Sequence, residues 1–571
     1  MRLLHLHIYL PFLCLILSLT CLWTCKQAAS PEQDLQQLWE EYQAFQDFQD
    51  SLRKTAWPVY SDSVLAVERH LQEGWLARLD DLSTDKLSEA NHINHELLRL
   101  LIADRVFQLS YQSHLMPLNS EGGFVSGILY SLQHAPMETA IDKDRYIQKL
   151  QTLPAYLDQQ IQLMRRGLES GKTMPKLIIR KSLDIIRSFA ETSASESVFL
   201  TAARKDPKVY QQLLPLVKQD IIPAYQELIT FLEQEYLPTT RVSIGASALP
   251  EGKTYYEQRV RFFTTLDISP EEVFDIGQKE VARIRGHMEE IIRQQEFQGS
   301  FDEFLHFLRT DPQFYANSPE ELLQHAAWQA KRAEAFLPTY FGHFPRMPFT
   351  VEPVPAAIAP NYTGGRYSEG SYDTHKPGAF WVNTYKLETR PLYVLPALTL
   401  HEAVPGHHLQ IMLSQEQENV PKFRQDQYLS AFGEGWALYA EYLGKEAGMY
   451  ETPYEDFGRL TYEMWRACRL VVDVGMHAKG WSRQQAVDFM ASNTALSLHE
   501  VNTEIDRYIG WPAQAVSYKM GEITIRQLRQ EAEERLGESF DIRAFHDLIL
   551  SNGSIPMQSL KRVVHQYLDK Y

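Results

Sequence analysis

The stretch Leu398–Met412, LTLHEAVPGHHLQIM, sets three histidines and a glutamate in an apolar run and interrupts the run with Pro405-Gly406. Polar groups in such surroundings are buried at a cost unless each finds a partner, and a proline has no N–H to give to the turn before it. A fold built on this segment must therefore bury it, satisfy its imidazoles and carboxylate, and distort a helix midway. On an α-helix a histidine four residues after His401 would lie only about 40° away around the axis, the spacing by which H-E-x-x-H brings both rings to one metal. His407, at i+6, is about 120° off that face, and His408, at i+7, returns to it about 10.5 Å further along. Pro405 removes the hydrogen bond to the carbonyl of His401, and Gly406 lets the turn bulge. The expectation is an expanded H-E-x-x-x-x-H zinc motif. The bulge absorbs two residues and His407 takes the second ligand position, with His408 as the alternative.

Glu402, beside the first ligand, then has the position of a general base on a water at the metal, later passing the proton to a leaving amine. Taken alone, a His-Glu pair also fits a helix end whose histidines face the dipole. A third ligand decides between the two, and SAFGEGWALYAEYLGKEAG offers one. Glu434 and Glu441 lie two helical turns apart on one face. Glu434, between two glycines that permit close backbone approach, is the expected metal ligand, and Glu441 the expected acceptor of an imidazole N–H.

A second polar cluster lies in HEVNTEIDRYIGWPAQAVSYKMGE, where Arg507, Tyr508, Gln514, Tyr518 and Lys519 fall within thirteen residues. A peptide hydrolase needs a donor for the tetrahedral oxyanion and a cation for a substrate carboxylate. Tyr518 or Tyr508 fits the first role, and Arg507 or Lys519 the second, with Gln514 beside them. The same residues also read as core aromatics and surface polars. His477, in DVGMHAKGW, is either a further transition-state donor or a hydrogen-bonded structural histidine. The pair His499-Glu500 has no second histidine at usable spacing and is set aside.

Helical periodicity dominates elsewhere. Apolar residues recur every three or four positions in DSVLAVERHLQEGWLARLDDL and NHELLRLLIADRVFQLSYQSHL. Between Tyr146 and Lys172 the same pattern carries a proline interruption and a glycine stop. Ser269-Pro270-Glu271-Glu272 predicts a capped helix start. Between Phe341 and Tyr385 the texture turns rich in Pro, Gly and Tyr, with strand-like pieces at Phe349–Val354 and Ala379–Thr384. The expected architecture is mainly α, with an N-terminal helical region at 26–340, a small strand and loop insert at 341–390, and a C-terminal helical region at 391–571. Ala379 and Phe380, on the strand before the metal helix, are expected to hold an extended peptide by main-chain pairing.

Residues 1–25 have the layout of a secretory signal: Arg2, then an uncharged apolar stretch from Ile8 to Trp23, then polar sequence from Lys26. Cys25 is the candidate lipidated cysteine, an anchor that tethers the chain to a membrane without spanning it, with a plain cleaved signal as the alternative. Three of the four cysteines (Cys14, Cys21, Cys25) lie in or just after this leader, so with the leader removed or Cys25 acylated Cys468 is the one thiol left and no intrachain disulfide forms. Its net charge is −18, that is −17 less the one positive charge of Arg2, which argues against nucleic acid as a partner.

Several long motifs in order (HEAVPGHHLQ, GEGWALYAE, RYIGWPAQAVSYKMGE, GSIPMQSL, and upstream ALPEGKTYYEQRVRFFTTLDISPEEVFDIG and HKPGAFWVNT) resemble the bacterial family catalogued as domain of unknown function 885. The resemblance covers the chain from about residue 35 onward. It implies similarity to gluzincin metallopeptidases of the carboxypeptidase Taq type: a large helical fold with a deep channel, and a zinc site of two histidines and a glutamate. Position by position it supports His401, Glu402, His407 and Glu434, with Tyr518 and Arg507 facing the substrate. The resulting expectation is an exported, periplasmic or envelope-anchored zinc peptidase acting on short peptides, exopeptidase rather than endopeptidase, with no obligate protein partner. A non-catalytic peptide-binding lipoprotein and a zinc amidase acting on cell-wall peptides are the competing readings.

Overall fold

A computed structural model describes residues 30–571 apart from 134, 357–358, 360–361, 419 and 426. The expected leader, Cys25 with it, lies outside these residues. The chain divides into two compact units, one ending at Ser110 and including Pro421–Phe423, the other comprising Tyr111–Val420 and Arg424–Tyr571.

In the first unit, helices α1 (Pro31–Arg53), α2 (Asp62–Asp80) and α3 (Glu89–Tyr111) follow the periodicity of their sequences. Ser30 and Gln33 form a reciprocal capping box at the start of α1, and Ser61 caps α2. Leu35, Leu38, Phe45, Trp75, Leu79, Leu97 and Ile102 are buried. The indole N–H of Trp75 donates to Glu41 at 3.0 Å, so the ring can be buried without losing its polar partner.

The second unit is helical apart from one sheet. Helix α4 (Ala140–Ser170) runs straight through Pro154, where a break was expected, and stops at Gly171, which takes φ +72°. Helix α5 (Pro270–Gln294) begins at the predicted Ser269–Glu272 capping box and buries Val273, Val281, Ile284 and Met288. The predicted insert folds into strands β1 (Phe349–Pro353), β2 (Gly365–Ser368) and β3 (Gly378–Val382) in the order β1-β3-β2. β3 is parallel to β1 and antiparallel to β2. After it come α6 (Leu395–Glu402), α7 (His407–Gln415), α8 (Ser430–Glu446), α9 (Pro453–His477), α10 (Leu498–Gly510) and α11 (Ser517–Leu536). No helix among the described residues is long and apolar enough to cross a membrane.

Helix α9 is the axis of this unit: every residue from Phe457 to His477 is buried, five of them Arg459, Glu463, Arg466, Arg469 and Asp473. Buried charge requires pairing, and the pairing cross-links helices. Lys519 of α11, fully buried, meets Glu463 of α9 at 2.9 Å, Glu280 of α5 at 3.1 Å and Glu522 at 2.7 Å. Arg459 adds a bond to Glu463 at 3.1 Å, and Arg283 of α5 also reaches it.

Two crossings depend on missing side chains. A Cβ on Gly277 of α5 would stand 2.7 Å from the Cβ of Leu470 on α9. At the crossing of α8 and α11, a Cβ on Gly435 would meet Gly521 at 2.6 Å, and one on Gly521 would meet the carbonyl oxygen of Ala431 at 1.9 Å. Backbone cannot yield as a flexible side chain can, so Gly521→Ala is expected to lower stability by about 1–3 kcal/mol in a denaturant titration. Gly286→Ala, on α5 with nothing within 4 Å of its Cβ, serves as the contrast and is expected to be neutral or stabilising by up to about 1 kcal/mol.

Candidate metal centre

Helix α6 ends at Glu402. Ala403 leaves helical geometry (φ −97°, ψ −110°), the Val404–Pro405 peptide is cis, and α7 starts at His407. The expected bulge in a continuous helix is thus a full break. Two short helices meet at a four-residue turn, because Pro405 has no N–H to extend α6 and Gly406 folds back onto it. A Cβ on Gly406 would lie 1.9 Å from the carbonyl oxygen of His401 and 2.4 Å from that of Leu400, so the turn closes only with glycine. The indole N–H of Trp436 on α8 donates to the carbonyl of Pro405 at 2.7 Å and pins the turn.

The break brings His407 back to His401, their rings 4.8 Å apart and nearly perpendicular. Nε2 of His401 and Nε2 of His407 lie 3.4 and 3.5 Å from the same oxygen, Oε2 of Glu434. One ligand atom from each residue falls within 4.8 Å of the others, and the three form the His/Cys/Asp/Glu group able to hold a metal among the described residues. His408 is not part of it. Its Nδ1 accepts from the Tyr367 hydroxyl at 3.0 Å and its Nε2 donates to the Met347 carbonyl at 3.0 Å. Burial lowers its pKa to about 4, and the neutral ring ties α7 to the insert.

The distances test whether the group suits a metal. A tetrahedron of bonds about 2.0–2.1 Å long has edges of about 3.3–3.4 Å. A charge-assisted hydrogen bond would instead draw imidazole and carboxylate to about 2.7–2.9 Å. The same imidazole shows both cases: Nδ1 of His401 meets Oε1 of Glu441 at 2.7 Å, whereas Nε2 stands 3.4 Å from Glu434. The first is a hydrogen bond that orients the ring, and the second has the length of a coordination edge. Two buried imidazoles and one partly buried carboxylate form a donor set that suits zinc.

Burial by itself would lower the pKa of His401, but Glu434 and Glu441 outweigh it and raise it to about 9. Burial likewise opposes ionisation of Glu434, yet the two histidines hold its carboxyl well below the usual range. The glycines flanking Glu434 carry out separate tasks: Gly435 lets α11 approach, and Gly433 leaves room for the Tyr428 ring, whose atoms a Cβ would meet at 2.3 Å. Tyr428, half-exposed and 6.4 Å from the His407 ring, borders the cluster.

Glu402 follows His401 of this group, and its Oε2 accepts the backbone N–H of Tyr367 at 2.7 Å. One carboxylate oxygen is therefore fixed by β2, while Oε1 has no such tether among the described residues. Tyr518 is also near. Burial first, then Glu434, raise its phenol pKa against the opposing charges of Arg469 and Arg507, so it remains a protonated donor at neutral pH. Arg469 stacks 4.1 Å over its ring.

Several residues predicted for substrate contact take structural positions instead. Lys519 is spent on its three carboxylates. The hydroxyl of Tyr508 is buried, donating to Glu504 at 2.8 Å and accepting from Trp465 and Arg469 at 2.9 and 2.7 Å. His477 accepts from the Ala246 N–H and donates to the Tyr508 carbonyl, both at 3.0 Å, and burial lowers its pKa to about 4. Arg507 is held by Glu504 at 3.0 Å and by Gln514 at 2.7 Å; Gln514 in turn reaches Ser430 at the start of α8 at 3.3 Å. Ala379 and Phe380 sit on β3, the middle strand, whose two edges are both paired, so it cannot add a peptide. The strand that reaches Glu402 is β2. Periodicity missed it because a four-residue strand that opens on the second glycine of Gly364-Gly365 carries too little alternation to declare itself.

The family described as bacterial protein of unknown function, DUF885, matches residues 42–564. The chain belongs to this family. The DUF885 chain is similar in structure to a candidate lipoprotein from Colwellia psychrerythraea: TM-score 0.87 at 29% identity, covering 95% of this chain and 100% of that one. A candidate lipoprotein of unknown function from Shewanella oneidensis shares the fold, with TM-score 0.73 at 17% identity, covering 94% of this chain and 100% of that one. No curated protein matches.

For this DUF885 protein the Glu441 contact gives a direct test. Glu441→Gln keeps the shape but weakens the bond that orients His401, and zinc affinity is expected to fall about 10–100-fold in competition with a chromophoric chelator. Unchanged affinity would show that Glu441 does not serve a metal.

Proposed function

We propose that this chain is an exported zinc-dependent peptidase acting on short peptides, similar in its site to gluzincin metallopeptidases. One observation carries the reading: two imidazole nitrogens stand 3.4 and 3.5 Å from one Glu434 oxygen, next to a glutamate whose own oxygen is held by a strand N–H. His401, His407 and Glu434 would hold the ion, and when bound, zinc supplies a Lewis acid and brings the pKa of a water toward neutrality. Glu402 Oε1 takes the proton from the attacking water and returns it to the departing amine nitrogen, while Tyr367 keeps Oε2 from turning. The Tyr518 hydroxyl donates to the oxygen that gains charge at the scissile carbonyl. An extended substrate lies along β2, the strand edge at Glu402, in place of the β3 pairing expected from sequence.

The candidate lipoprotein from Colwellia psychrerythraea supports export and attachment to the envelope, and the leader sequence makes Cys25 the proposed anchoring residue. A lipoprotein that cleaves nothing fits the same relatives, so turnover must be separated from binding. Glu402→Gln is expected to retain about one zinc per chain by elemental analysis and to lose about 100- to 10,000-fold in kcat on short peptides. Full turnover in that variant would remove Glu402 from the chemistry. A zinc-loaded wild type that binds peptides but cleaves none would establish the binding protein.

A further inference from the structure

The cations that the sequence offers for a substrate carboxylate are already engaged: Lys519 by three glutamates, Arg507 by Glu504 and Gln514. Arg366 is different. It lies on β2 with its residue surface open to solvent and a hydrogen bond to the Tyr362 hydroxyl, and no carboxylate pairs with it among the described residues. Its carbonyl belongs to the same peptide unit as the Tyr367 N–H that donates to Glu402, so the strand fixes Arg366 one residue from the proposed base.

Side chains alternate across a strand. Tyr367 turns inward to His408, and Arg366 takes the opposite face with its cross-strand neighbour Trp381 and with Tyr362, whose ring lies 6.3 Å from that of Trp381. Burial opposes the charge of Arg366, and Tyr362, Tyr518, Glu402 and Glu434 outweigh it, so the guanidinium lies within electrostatic reach of the cluster. A divalent ion held by His401, His407 and Glu434 would offset the charges of Glu402 and Glu434. Arg366 is then a surplus positive charge in a protein of net charge −17. A planar guanidinium on a rigid strand is suited to a carboxylate, which it can grip with two parallel hydrogen bonds.

Resting on the peptidase reading above, we propose that Arg366 receives the terminal carboxylate of the substrate and makes this chain a carboxypeptidase. One water is consumed for each bond cut. Its oxygen joins the scissile carbonyl carbon, the C–N bond breaks, and the amine of the released C-terminal piece takes the proton carried by Glu402.

The test uses pools of random N-acetylated tripeptides, prepared either as free acids or as C-terminal amides, with the zinc-loaded full chain. The wild type is expected to favour free acids about 30-fold in kcat/KM, the range of a hydrogen-bonded charge pair. Arg366→Gln should bring that ratio close to one, and Arg366→Lys should retain part of it. Equal cleavage of the two pools by wild type, or an undiminished ratio in Arg366→Gln, would overturn the assignment. Titration calorimetry with the Glu402→Gln protein is the second arm, expected to show free acids bound over amides and the difference lost when Arg366→Gln is added. If wild type cleaves neither pool, the peptidase reading fails while calorimetry still decides the carboxylate site. Preference that needs Arg366 upholds the site, and equal binding refutes it.

Discussion

The contact between Gly406 and the end of α6 is the constraint on which the site depends. A helix cannot present His401 and His407 to one point, because six residues carry the second ring to the far side of the cylinder. Breaking the helix solves this only if the chain doubles back at once, and the room for doubling back is the space a Cβ would occupy, 1.9 Å from the His401 carbonyl oxygen. Pro405 stops the first helix, Gly406 permits the return, and Trp436 closes the turn through the Pro405 carbonyl. The expanded spacing of the motif is therefore one turn geometry, with every insertion accounted for.

Around that turn the protein separates two kinds of buried charge. On α11, Lys519 with Glu280, Glu463 and Glu522 is closed on itself and fastens α5, α9 and α11 together. Such a cluster holds helices in register and has no donor left over. At the turn, Glu434 and the two imidazole nitrogens stop short of hydrogen-bonding distance while Glu441 does not, and β2 brings a backbone N–H to Glu402. The residues that recur in both neighbourhoods are the same types, so distance and the identity of the partner distinguish scaffold from site.

How much of this was legible depends on how local its cause is. Helix starts such as Ser269–Glu272 and the stop at Gly171 follow from caps and φ preference within four residues, and they appear where the sequence puts them. The pairing of His401, His407 and Glu434 was also readable, since the spacing of HEAVPGH and the apolar setting of Glu434 leave few arrangements that satisfy all three groups. His408, Tyr508, Lys519 and His477 were harder to sort. Each is a polar side chain in an apolar context, and sequence does not say whether its partner is a substrate or a neighbouring helix.

By itself the sequence determined a mainly helical chain, a small insert before the His-Glu segment, and a histidine pair brought together by proline and glycine, because each rests on contacts between residues close in the chain. Only the tertiary structure decided that β2 borders Glu402, that β3 is closed on both edges, that Lys519 is scaffold and that Arg366 has no carboxylate partner among the described residues. Those outcomes depend on which distant elements come to lie side by side, and burial or pairing at one position is fixed by residues far away in the chain.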